Sequence, residues 1–111
     1  MANASQSEEL TPIEESAYSL SEAAVMMDKG REDQGMLAAA LEKDIETWIA
    51  IRLLAGRDDT GINTETQQNL IQLSKFVADT IMSNGLELSS ESLDTLININ
   101  LQISEGLLEG Q

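Results

Sequence analysis

The sequence predicts an all-α protein, a small bundle of about four helices with a disordered N-terminal tail. Three observations favour this fold. The chain has 111 residues, the size of one domain, and 41% of them are hydrophobic, enough for a core. Apolar residues recur with helical spacing in four segments separated by glycine-containing turns. Residues 1–10 are polar and acidic, so we expect a disordered acidic tail there and a single helical domain over 11–111.

The first predicted helix extends from Pro12 to Lys29. Thr11 and Glu14 have the spacing of a capping box, with proline at the first helical position, and Gly30 ends the segment. The apolar stripe of this helix is narrow, so we expect it to lie on one side of the core. The stripe consists of Ile13, Ala17, Leu20, Ala24 and Met27.

The second predicted helix extends from about Asp33 to Ala55. Two charged residues, Asp44 and Arg52, fall inside its broad apolar arc, four residues on either side of Trp48. A structural role accounts for them better than catalysis, because no nucleophile, second carboxylate or metal ligand accompanies them. In that role the guanidinium of Arg52 lies over the indole of Trp48 and pairs with Asp44 or with another carboxylate nearby. The apolar face comprises Leu37, Ala38, Ala40, Leu41, Ile45, Trp48, Ile49, Ile51 and Ala55.

The third predicted helix begins near Asn63 or Thr64 and ends at Asn84, before Gly85. Phe76 lies about 60° beyond the edge of its apolar face, so this ring either contacts a partner or is covered by the fourth helix. The face itself comprises Leu70, Ile71, Leu73, Val77, Ala78, Ile81 and Met82.

The fourth segment has two interpretations. Residues 97–104 alternate apolar and polar, as a half-buried strand does. The window 93–108 favours a helix, because its large apolar residues share one arc and a lone strand would have no partner. Ser89 and Ser90 supply the cap. Asn100 and Ser104 lie near the centre of the apolar arc, where a buried amide typically fixes the register of packed helices.

Composition excludes most chemistry. The chain has no Cys and no His, which removes disulfides, the usual zinc and haem ligands, thiolate nucleophiles and imidazole bases. The remaining polar residues have no catalytic spacing, so we predict no enzyme and no cofactor. The six bases are scattered in a chain of net charge -14, so we predict no direct contact with nucleic acid. No apolar run is long enough to cross a membrane, and we expect a cytoplasmic protein.

The charge is unevenly distributed. The first 35 residues carry eight acids and two bases, and residues 85–111 carry five acids and no base. The middle of the chain is nearly neutral. Because the core of an interface is depleted of charge, this distribution favours a protein partner that contacts the middle of the chain, such as an amphipathic helix laid in a groove.

Three tracts resemble one family. Leu70 to Val77, about 20 residues after Trp48, Leu96 to Asn100, and Gly106-Leu107 are similar to the FlaF family of flagellar biosynthesis regulators of alphaproteobacteria. The resemblance covers about Arg31 to Leu108. The chain departs from the family pattern at several positions, including Asp44, where the family tends to have Asn.

The resemblance implies a small helical protein required for flagellin synthesis, secretion and filament assembly, with flagellin and the FlbT regulator as partners. One hypothesis is a chaperone-like adaptor that binds an amphipathic helix of flagellin in an apolar groove. The alternative is a post-transcriptional regulator of flagellin expression that acts through FlbT. The candidate partner-binding residues are Trp48, Leu73, Phe76, Val77, Ile97, Ile99, Asn100, Ile103 and Leu107.

Overall fold

A computed structural model describes residues 9–109, and this part of the chain contains four α-helices and no strand. The helix predicted over the window 93–108 is therefore confirmed against the alternative of a strand over residues 97–104. The expected disordered tail falls largely on residues 1–8, which lie outside the described part. The helices are α1 (Pro12–Lys29), α2 (Gln34–Ala55), α3 (Thr64–Asn84) and α4 (Ser90–Glu109), and short 3-10 turns follow α1, α2 and α3 at Gly30–Glu32, Asp58–Thr60 and Gly85–Glu87.

Local sequence determines where each helix begins. The residue before each helix is Thr11, Asp33, Asn63 or Ser89, and its side-chain oxygen accepts a hydrogen bond of 2.8 to 3.1 Å from the backbone N–H three residues later. At α1 the carboxylate of Glu14 also accepts from the N–H of Thr11, which completes the predicted capping box. These caps satisfy donors that a helix leaves without an internal partner.

The helices α1 and α2 are each packed against two other helices. The helix α1 packs against both α2 and α4, whereas α3 packs mainly against α2, and α3 and α4 are not a closely packed pair. All five residues of the predicted stripe of α1, Ile13, Ala17, Leu20, Ala24 and Met27, are buried, so α1 turns one narrow face to the core as predicted. Its buried residues include Ser16, Ala17, Ala23 and Ala24, and these small side chains let two neighbouring helices approach α1.

The core contains residues of all four helices, among them Leu20, Trp48, Val77 and Leu96. Three residues predicted to face it are exposed instead, namely Ala38, Ile49 at 54% and Met82 at 78%. All three lie towards the edge of their predicted arcs. Because α3 contacts only one helix closely, the outer edges of α2 and α3 remain uncovered.

Candidate functional site

Apolar side chains lie on one flank of α3 and on one flank of α4, and we call these two flanks together the α3/α4 seam. It consists of Leu73 and Phe76 on α3 and of Ile99 and Ile103 on α4. Phe76 is 47% exposed, and the other three side chains are half-buried. The two helices are not closely packed, so this apolar surface is only partly covered.

The orientation of α3 follows from its contacts with α2. Ser74 and Ala78 line a small groove with Ile45 and Ile49 of α2. One flank of α3 therefore faces α2. Leu73 and Phe76 belong to the opposite flank on the helical wheel, so that flank is directed towards α4.

The orientation of α4 follows from a cavity at the end of the seam. Gly106, three residues after Ile103 on the same flank of α4, lines a cavity of about 400 Å³ with Asn63 and Thr66 at the start of α3. The flank that carries Ile99 and Ile103 is therefore directed towards α3. The helical wheel thus directs the two apolar flanks towards each other.

The nine candidate residues separate into three groups. Leu73, Phe76, Ile99 and Ile103 line the seam. Ile97 lies on the other flank of α4, near Asp94, which pairs with Arg31 in the turn after α1. Leu107 is half-buried beside Ile13 and Leu70 at one end of the bundle. The third group, Trp48, Val77 and Asn100, is at most 1% exposed. These three residues pack in the interior and cannot touch a partner in this conformation.

Asn100 is the centre of a buried polar cluster. Its Oδ1 accepts a hydrogen bond of 3.0 Å from Nε1 of Trp48, and its Nδ2 donates to the carbonyl oxygen of Leu20 at 3.1 Å and to Oδ1 of Asp44. The hydroxyl of Ser104 donates to the carbonyl oxygen of Ala17 at 2.6 Å. These bonds join α4 to α1 and α2, so Asn100 is the satisfied buried amide that its position in the apolar arc predicts.

Asp44 is fully buried, and its Oδ2 has no hydrogen-bond partner among the described residues. Burial raises the pKa of this carboxyl to about 7, although the bond from Asn100 acts in the opposite direction. The predicted pairing of Asp44 with Arg52 is wrong, since Arg52 is exposed and forms no salt bridge in the described part of the chain. Eight residues of helix separate the two by about 12 Å along the axis, and Asn100 lies closer.

The charges around the seam are mostly acidic. The helix α4 carries no base, and α3 carries only Lys75. Among the described residues, one salt bridge reaches α4, and it joins Asp94 to Arg31. The pKa of Arg31 is raised by hydrogen bonds to Asp28 and Asp94. A partner with Lys or Arg beside its apolar face therefore complements the seam. The acidic residues of α4 are Glu91, Asp94, Glu105 and Glu109.

The model of one protein family, described as flagellar protein FlaF, matches residues 2–107. The chain belongs to the FlaF family. The match includes α1, which the resemblance recognised in the sequence did not cover. Searches among curated proteins and among solved structures gave no significant match.

Membership identifies a flagellar protein, in a family that is not known for enzymes. Within residues 9–109, no group of three or more acidic residues is placed to hold a metal ion. None of the helices in this range is both long and apolar enough to cross a membrane.

A groove of about 500 Å³ also lies between α1 and α2. Its rim carries charges of both signs, Glu15 and Glu46 with Lys43 and Arg57, so it shows no preference for a charged partner.

Proposed function

We propose that this FlaF-family protein is a cytoplasmic, chaperone-like adaptor for flagellin, and that it binds an amphipathic helix of flagellin along the α3/α4 seam. The observation that carries the proposal is the seam itself. The helical wheel directs two apolar flanks towards each other on helices whose backbones are not in close contact, and Phe76 is 47% exposed at the edge. An amphipathic helix laid between them buries its own apolar face and theirs.

This binding mode suits a protein that is exported before it assembles. The ends of flagellin are amphipathic helices that stay unfolded until they enter the filament. A partner that covers their apolar faces prevents early polymerisation and keeps the chain ready for secretion. Binding of this kind supports flagellin synthesis, secretion and filament assembly together.

Calorimetry with purified flagellin of the same bacterium tests the proposal. We expect a complex at tens of micromolar or below, with a negative heat-capacity change because apolar surface is buried. Size exclusion should show one peak that contains both proteins. Separate elution together with the absence of any heat signal would overturn the proposal.

Matched variants locate the contact. Ile99→Asp should weaken flagellin binding about tenfold or more, while Leu101→Asp, on the opposite flank of α4 and 44% exposed, should leave it unchanged. Phe76→Ala and Met82→Ala form the same kind of pair on α3. Circular dichroism identifies any variant that has unfolded. Equal loss of affinity in both members of a pair would remove the seam as the binding surface.

A second candidate function is regulation of flagellin mRNA through FlbT. It is supported by the net charge of -14, which disfavours direct contact with RNA and requires a protein intermediary. We expect this protein alone not to shift the flagellin mRNA leader on a gel. A salt-dependent shift without FlbT would contradict this route, and a shift that requires both proteins would support it.

A further inference from the structure

We propose that α3 is the helix that moves to admit the partner, while α1, α2 and α4 remain together as a fixed base. This inference rests on the proposed binding of an amphipathic helix at the α3/α4 seam, and it states how that site opens. The reason is an asymmetry between the two helices that border the seam. One is held by buried polar contacts, and the other is held by apolar packing alone.

The helix α4 is joined to the rest of the molecule by specific contacts along its length. Near its start, Asp94 pairs with Arg31. In its middle, Asn100 bonds to α1 and α2, and one turn later Ser104 bonds to α1. If α4 left, the buried polar groups of these contacts would lose their partners, which is costly in an apolar interior. Movement of α4 is therefore the less favourable way to open the seam.

The helix α3 has no such contacts. Among residues 9–109, no side-chain hydrogen bond and no salt bridge joins α3 to another helix, since the polar side chains of α3 that form bonds, such as Ser74 and Asn84, bond within α3. Its close packing is with α2 alone. Separation of α3 from the base breaks apolar contacts and leaves no buried polar group without a partner.

Glycines lie at both ends of α3. Gly61 has φ of 76° and Gly85 has φ of 55°, and no other described residue has a positive φ. A Cβ at either position would meet nothing within 4 Å, so no neighbouring atom crowds either glycine on that side. Because glycine accepts a wide range of φ and ψ, these two turns can absorb the change in direction that a moving helix requires.

Opening along this path exposes an apolar surface that fits one helix. Leu70, Val77 and Ile81 of α3 and Leu96 of α4 are buried in the closed form. With 21 residues in α3 and 20 in α4, the surface is about 30 Å long, the length of a helix of about 20 residues. The acidic α4 selects a partner that has apolar residues at i, i+3, i+4 and i+7 and Lys or Arg beside them.

Hydrogen exchange on the free protein tests the movement without any partner. We expect the central amides of α3 to exchange through local opening at least about tenfold faster than the central amides of α4. Asn100→Ala should narrow this difference, because it removes bonds that hold α4. Equal protection of α3 and α4 in the unmodified protein would overturn the inference.

Distance measurement between spin labels tests it in the complex, and the absence of native cysteines makes the labelling clean. The test pair is Gln72→Cys with Gln102→Cys, which joins exposed positions on α3 and α4, and the control pair is Ala39→Cys with Gln102→Cys, which joins α2 and α4. On addition of flagellin the test distance should lengthen by ~5–10 Å, up to the spacing of packed helices, while the control distance stays constant.

The outcomes separate this inference from the proposed function. Flagellin that binds without lengthening the α3 to α4 distance would overturn the movement of α3 and leave flagellin binding intact. A lengthened control distance would show that α4 moves instead. If flagellin does not bind, the proposed function fails, and the exchange experiment still decides whether α3 opens.

Discussion

At the scale of single residues, the buried polar cluster is the most constrained part of the protein. Asn100 uses both ends of its amide, since its oxygen accepts from Trp48 and its nitrogen donates to Asp44 and to the carbonyl of Leu20. Only Oδ2 of Asp44 has no partner in the described residues. An ionised carboxylate at that position would be costly, so the cluster favours the protonated acid.

Asp44 should make stability depend on pH. Folding raises the pKa of Asp44 from 3.8 to about 7. The contribution of this group to the free energy of unfolding is therefore fully present below pH 4 and is lost as the pH rises through 7. We expect the free energy of unfolding to fall on the order of 3 kcal/mol between pH 5 and 8. The chain has no His to titrate in that window. Urea unfolding across the window measures the slope.

Asp44→Asn supplies the control for this slope. The amide keeps the shape of the acid and does not ionise, so the variant should show a nearly flat profile over the same window. Its advantage over the unmodified protein should be largest at pH 8 and smallest at pH 5. Parallel profiles for the two proteins would show that Asp44 is not the group that titrates.

Gly30 is required by close approach and not by backbone conformation. Its φ is -74°, which any residue adopts, but a Cβ there would lie 2.7 Å from Cα of Leu37. We expect Gly30→Ala to destabilise the protein by about 1–3 kcal/mol, because backbone atoms cannot rotate away as a side chain can. Gly106→Ala, in α4 with open space around it, should stabilise by roughly 0.5–1 kcal/mol. Thermal unfolding gives both values, and equal effects would refute the steric account.

At the scale of the elements, the helices are defined by their caps and the turns by their glycines. The two turns that flank α3 require different conformations. Gly61 is in the left-handed helical region, with ψ of 5°, whereas Gly85 has ψ of -132°. Asn is tolerated in the first of these conformations, and only glycine adopts the second readily.

Asparagine should therefore be tolerated at position 61 and not at position 85. We expect Gly61→Ala to cost about 1–2 kcal/mol and Gly61→Asn distinctly less. At Gly85 both substitutions should cost about 1–3 kcal/mol, with no advantage for Asn. Urea midpoints of the four variants give the comparison. A similar recovery by Asn at Gly85 would mean that the two turns share one conformation.

At the scale of the whole molecule, the order of the helices gives a flat shape. With α1 and α2 in the middle and α3 and α4 not closely packed, the extents are 45 × 34 × 18 Å and the radius of gyration is 14.7 Å. A compact chain of this length has a radius of about 13 Å. The extra surface includes the seam. The chain has a net charge of -14, so its acidic groups repel one another over much of the molecule.

Salt should therefore stabilise the folded protein. Between about 0.01 M and 0.15 M ionic strength the screening length falls from about 30 Å to about 8 Å, which removes repulsion across a molecule 45 Å long. The surface salt bridges lose only a few tenths of a kcal/mol each. We expect the urea midpoint to rise with added NaCl. A falling midpoint would show that screening weakens the salt bridges by more than it relieves the repulsion among the acidic groups.

The sequence by itself determined the helices, because caps, glycines and apolar spacing act within a few residues. It located the start of every helix, and it placed Asn100 and Ser104 in a buried arc. Only the tertiary structure decided which neighbour covers each arc. A helical wheel identifies an apolar side without naming what packs there, so the packing of α1 against both α2 and α4, the exposure of Met82 and the bond between Asp44 and Asn100 required the packed helices. The seam has the same origin, since it arises from two helices that share a core without packing closely on each other.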